Sequence, residues 1–154
     1  MKETHTQRLA NFLAALRYSE PPGQAVEKAK KLTLHTVGAA IAALGLEASR
    51  KPIAIALENG GRPEATLWGS NGGKKVSASE AAFSNGTLSD LLDWEDCSWT
   101  GHGSAGVIPV SLAMGEKYHI NGKDYLTAVV AGFEGYHRTA MAVQPTQEYL
   151  KSGS

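Results

Sequence analysis

Two runs of helical periodicity are held apart by a segment that can continue neither. The first run carries Ala81, Ala82, Phe83, Leu88, Leu91 and Leu92; the second carries Val107, Ile108, Leu112 and Met114. Apolar residues three and four apart lie on one helix face, so each run asks for a partner to bury against. Between them stands Asp93-Trp94-Glu95-Asp96-Cys97-Ser98-Trp99-Thr100-Gly101-His102-Gly103-Ser104-Ala105-Gly106. Its acids, glycines and serines favour turns and helix caps over helix interiors. A chain of this kind folds as packed helices carrying an acid–base loop between two of them.

The rest of the chain extends that pattern. Leu9, Phe12, Leu13 and Leu16 predict an amphipathic helix over 4–18, stopped by Pro21-Pro22-Gly23. A second helix is expected from Gln24 to Ala43. Its half from Leu34 to Leu44 is apolar on almost every side, which predicts burial at the centre of the domain, with His35 a hydrogen-bonded core histidine. Gly45 is expected to end it in the left-handed conformation. A shorter helix follows over Ala48 to Glu58.

Ala65 to Trp68 and Lys75 to Ser77 read as a small hairpin around Gly69-Ser70-Asn71-Gly72-Gly73. That glycine run lacks the spacing of a phosphate loop. Ser77 and Glu80 form a capping-box pattern, so a helix should start at Ala78 and run to about Asp93. Gly86 inside it is costly for a helix and marks a close approach of another backbone or a ligand. Helices are expected over Ala105 to Tyr118, with Pro109 in the first turn, and over Lys123 to Val143, ended by Pro145. The tail, Lys151 to Ser154, reads as frayed. The fold class is mainly α: a single domain over 1–154 with about six helices and one small β-hairpin.

Composition narrows the function classes. Lys plus Arg and Asp plus Glu are 15 each, so the 154-residue chain has no basic excess for nucleic acid. A net charge of zero also does little to keep copies apart, which favours self-association. The longest apolar run, Val37 to Leu46, is too short for a bilayer, and no membrane partner is expected. One cysteine and a polar N-terminus point to a cytoplasmic protein, with a mitochondrial location left open.

Four readings of Asp93, Glu95, Asp96 and His102 stand side by side. They could satisfy helix ends, bind a metal, or support Cys97 as a nucleophile paired with His102. They could also perform general acid–base catalysis. In the last reading His102 removes a proton alpha to a carboxylate, and the neighbouring carboxylates tune it. The N–H groups of Ser104, Ala105 and Gly106 would hold the substrate carboxylate, and Gly101 and Gly103 would leave room for a ligand.

The residues also carry a resemblance. Ala81-Ala82-Phe83-Ser84-Asn85-Gly86-Thr87-Leu88, Leu92-Asp93-Trp94-Glu95-Asp96, Gly101-His102-Gly103-Ser104 and Val107-Ile108-Pro109 resemble the signature of the MmgE/PrpD family. Gly122-Lys123-Asp124 and Val130-Ala131-Gly132-Phe133-Glu134 extend it. That family includes 2-methylcitrate dehydratase, cis-aconitate decarboxylase and iminodisuccinate epimerase. The resemblance implies a dimerising helical domain and lyase or isomerase chemistry on small carboxylic acids, without metal or cofactor. A biosynthetic intermediate is the other substrate class it admits.

Carried over, His102 is the proton-transfer residue and Asp93 its partner or a substrate contact. Cys97, where threonine is usual, lines the pocket. Asn85, Trp94 and Ser104, from the same signature, are the further substrate-binding candidates. Gly103 stands where proline is usual. Family members are longer, with a second, mixed α/β domain, so this chain is expected to match the N-terminal part of the helical domain alone. The competing expectation is a non-catalytic helical module that dimerises, or a fragment of a longer enzyme.

Overall fold

The computed structural model describes residues 3–98 and 101–143. Trp99, Pro145 and the tail expected to fray lie outside them. Six helices are described: α1 (His5–Ala15), α2 (Gly23–Ala43), α3 (Arg50–Asn59), α4 (Ala78–Asp90), α5 (Ser104–Tyr118) and α6 (Gly122–Ala142). A 3-10 turn, Glu47–Ser49, leads into α3. Strands β1 (Ala65–Thr66) and β2 (Lys75–Val76) pair antiparallel, Ala65 opposite Val76 and Thr66 opposite Lys75. The mainly helical architecture with one small hairpin is therefore observed. No single described helix is long and apolar enough to cross a membrane.

Side chains set the helix starts. Thr4 Oγ1 accepts from the Gln7 N–H at 3.2 Å while Gln7 Oε1 accepts from the Thr4 N–H at 2.9 Å, a reciprocal cap for α1. Asn121 Oδ1 accepts from the N–H groups of Lys123 and Asp124 to open α6. At α4 Ser77 Oγ takes the Glu80 N–H, and Glu64 Oε2 takes the Ala78 N–H at 3.1 Å. That backbone bond, with Lys117 beyond it, holds the Glu64 carboxyl below the usual carboxylate range.

The hairpin is tied to the helices through two side chains. Asn85, buried on α4, accepts from the Trp68 N–H at 2.9 Å and donates to the Thr66 carbonyl at 3.0 Å. Glu116 on α5 accepts from Thr66 N–H and Oγ1 at 3.1 and 2.7 Å. Beneath them Ala56, Ala65, Leu67, Val76, Ala78, Ala81 and Ala113 form one apolar cluster. Ala29, Ile108 and Val129 form another, where α2, α5 and α6 meet.

Three local expectations are corrected. The apolar half of α2 is not buried all round: Ala39, Ala40 and Ala43 face inward, but Leu34 is 77% exposed and Ile41 59%. Its outer side has no neighbouring element among the described residues. Gly45 is not left-handed; α2 ends through Leu44 in a right-handed turn. Pro109 is not in the first turn, because α5 begins at Ser104 and places it inside the helix.

Pro109 has no N–H for the Ala105 carbonyl four residues back, so that oxygen lacks its helical donor. Gly86 packs against it. A methyl group at position 86 would lie 2.9 Å from Ala105 O and 4.0 Å from the Pro109 ring. The glycine expected to allow a close approach does so, and what approaches is the backbone of α5.

Two glycine-to-alanine changes should move stability in opposite directions. Gly86→Ala gains about 1 kcal/mol of helix propensity but forces α4 off α5, an overpacking cost of about 1–3 kcal/mol. Urea unfolding is expected to show a net loss of about 1 kcal/mol. Gly38→Ala, exposed on α2 with nothing within 4 Å of the new methyl group, should gain up to about 1 kcal/mol.

Candidate active site

The loop starts where α4 runs out of helical sequence. Leu91 and Leu92 turn, and Asp93 adopts a left-handed backbone with φ 53°, a conformation that aspartate tolerates better than most residues. The Asp93 N–H returns to the Asp90 carbonyl at 3.0 Å. Ser98 and Gly101 exchange backbone hydrogen bonds, both 3.0 Å, and close the loop. The return is helped by Gly101 at φ 117°, which a larger residue would adopt only with strain. His35 Nε2 lies 2.6 Å from the Trp94 carbonyl and pins the loop to α2. His35 is thus hydrogen-bonded as expected, but exposed on the helix and not in the core.

His102 finds its partner in Glu95. Its Nδ1 lies 2.7 Å from Glu95 Oε1; the Glu95 side chain is 2% exposed and the imidazole 47%. In a neutral ring the tautomer that serves this carboxylate carries the proton on Nδ1 and leaves the Nε2 lone pair for other work. Asp93 is close but secondary: its carboxylate, that of Glu95 and a His102 nitrogen lie within 4.8 Å of one another. These three could converge on a divalent cation only if His102 turned its other nitrogen or gave up Glu95.

Burial holds the Glu95 carboxyl above the usual carboxylate range. A bond from its own backbone N–H opposes that rise, the Asp90 carboxyl beside it adds to it, and the charge on His102 opposes it again. Glu95 Oε2 is buried and receives no hydrogen bond.

The other candidates divide. Asp96 Oδ1 accepts from the Ser104 N–H at 3.0 Å, so the start of α5 is capped by the chain's own carboxylate. Ser104 is fully buried, with Oγ unpartnered. Cys97 is exposed, its thiol 3.7 Å from the Ser98 carbonyl. Trp94 is exposed and contributes its carbonyl to His35. Asn85 spends both ends of its amide on the hairpin backbone.

The room expected beside Gly101 is filled, which corrects that expectation, whereas Gly103 meets a ring on one side and lines a groove with His102 on another. A methyl group on Gly101 would meet the Tyr136 hydroxyl at 2.6 Å, and one on Gly103 would meet the Phe133 ring at 2.8 Å. Open space lies further on. A groove of about 620 Å³ runs from His102 between α5 and α6, past Val107, Val110, Met114, Ile120 and Tyr136. Another, of about 770 Å³, lies between α4 and α5 and is lined by Phe83, Asp90 and Lys117 among others. His102 borders the first and not the second.

Sequence reasoning missed Glu95 as the partner of His102, and it missed Phe133 and Tyr136 as the rings over the loop. Helical spacing places both rings on the inner face of α6, which was the available signal. Nothing local says which of three nearby acids turns inward.

The fold and loop define a helical domain presenting a histidine–carboxylate pair at the mouth of a groove. The profile of the MmgE/PrpD N-terminal domain matches residues 7–153, and the chain belongs to that family. Neither the comparison with curated proteins nor that with solved structures gave a match.

Glu95 makes stability depend on pH in a definite direction. A carboxyl whose folded pKa is raised binds more protons folded than unfolded, so its contribution is full below the ordinary value of 4.5 and is lost as pH rises through the folded pKa. Urea unfolding at a series of pH values should show the native protein losing stability relative to Glu95→Gln as pH rises above 4.5. A gap that is constant or widens in favour of the native protein contradicts the assignment.

Proposed function

We propose that the chain carries out lyase or isomerase chemistry by proton transfer at carbon, with His102 as the base. The observation that carries this is the 2.7 Å contact between His102 Nδ1 and the buried Glu95 carboxylate, at the end of a groove. A base positioned by a second group and facing a cavity is what acid–base catalysis requires. Family membership supports the same reading.

In this scheme Nε2 takes a proton alpha to a carbonyl or carboxylate, and the C–H electron pair moves into the enolate. Delivery of a proton from solvent water to the opposite face of that carbon gives isomerisation, and the imidazolium then releases its own proton to the solvent. Alternatively the enolate expels a beta substituent, which takes the proton from the imidazolium. Glu95 holds the ring and offsets its positive charge, and Asp93 adds to that field. Cys97 and Trp94 stand exposed on the loop as substrate contacts. Asn85 and the Ser104 N–H, already bonded within the chain, are left outside the reacting set.

The test is deuterium incorporation from D2O into a panel of family acids and simple ketones, followed by NMR. His102→Ala, exposed and expected to fold, should lower exchange or turnover by about 10²-fold or more. Unchanged rates in the folded variant overturn the reading.

A second reading rests on a different observation. Leu34, Ile41, Phe83 and Val110 leave large apolar surfaces uncovered. This favours a helical module that pairs with a copy of itself or with a longer relative. Light scattering over a range of concentrations should then show a dimer, and a monomer throughout counts against self-pairing.

A further inference from the structure

We propose that the His102 groove takes an uncharged carbonyl compound with an elongated apolar body, and not a polycarboxylate. This rests on the acid–base reading of His102 and narrows its substrate class.

The groove is polar at one end, where His102 stands, and apolar along Val107, Val110, Met114 and Ile120. No lysine or arginine lines it among the described residues. The cations on neighbouring surfaces are engaged elsewhere. Lys117 pairs with Glu64 at 3.2 Å, borders the other groove and lies 5.6 Å from the centre of the Tyr118 ring on this one, and Lys75 pairs with Glu116 at 3.3 Å. Arg138 pairs with Glu134 at 2.7 Å, and Lys123 lies over the Tyr18 ring.

At the start of α5 the Ser104 N–H, one of the donors that could receive an anion, already serves Asp96. Asp93 and Glu95 then place negative charge within 4.8 Å of the His102 ring. A substrate carboxylate entering here would lose its hydration without a cation to replace it, beside charges of its own sign. A ketone or aldehyde pays neither cost, and its chain covers apolar wall. A volume of about 620 Å³ is suited to a small molecule, and an apolar cleft with few polar groups at one end is the usual form of such a site.

The probes are 2-octanone, octanoate and citrate, titrated into the 15N-labelled chain. 2-Octanone should shift the amides of Gly103, Gly106, Val110 and Gly132 saturably, with octanoate weaker by about tenfold or more and citrate without effect. Two variants change the groove at Ala128, an exposed residue of α6 on its wall. Ala128→Phe fills it and should abolish the ketone shifts. Ala128→Lys supplies the missing cation and should reverse the preference towards octanoate.

The proposal is overturned if octanoate or citrate binds these amides as tightly as the ketone, or if the ketone leaves them unmoved. It is also overturned if the same amides shift with protein concentration alone, which would mean that a second copy covers the groove. Its failure is distinct from that of the acid–base reading. Exchange on acids alone, lost in His102→Ala, would sink the ketone preference and keep the base. Ketone binding with no His102-dependent exchange would do the reverse.

Discussion

The close approach of α4 and α5 is the constraint on which the site depends. Gly86 has no side chain, and the Ala105 carbonyl has lost its helical donor to Pro109, so the two backbones meet where a methyl group would stand 2.9 Å from the oxygen. This contact lies near the end of α4 and the start of α5. It therefore fixes the two points between which the loop from Asp93 to Gly103 must run. Short helical ends held this closely leave the loop little choice of path. Its described residues are held further by the Ser98–Gly101 bridge and by the His35 contact to the Trp94 carbonyl.

Within that frame the loop sorts its acids by environment. Asp96 stays at the surface of the helix start, where an N–H group satisfies it. Glu95 is driven inside, and the cost of burying a carboxylate is met by His102 on one oxygen and left unmet on the other. A buried acid paired with a histidine, its carboxyl held above the usual range by burial, is the kind of perturbed group that functional sites collect. The rings of Phe133 and Tyr136 press on Gly101 and Gly103 from the other side, so the histidine between those glycines is held by α6 as well as by Glu95.

The outer surfaces follow from the same packing. With α4, α5 and α6 committed to one another and to the inner side of α2, the outer side of α2 keeps Leu34 and Ile41 in solvent, and Phe83 stays uncovered on α4. Large apolar side chains left in solvent are the observation on which the self-pairing reading rests.

Much of this was legible in the residues. The helices of the core, the hairpin, the position of the loop and the close contact at Gly86 all follow from local preference and periodicity, because caps, turns and apolar faces are decided within a few residues. So is the presence of an acid–base cluster, since Asp93, Glu95, Asp96 and His102 are neighbours in the chain. What the sequence could not decide is which acid faces the imidazole, where Pro109 falls in its helix, and which side of α2 is covered. The first depends on α6 folding back over the loop, the second on where α5 starts, at the Asp96 contact to Ser104, and the third on which described elements pack against α2. The packing of α6 and α2 joins residues far apart in the chain, and no local pattern encodes it.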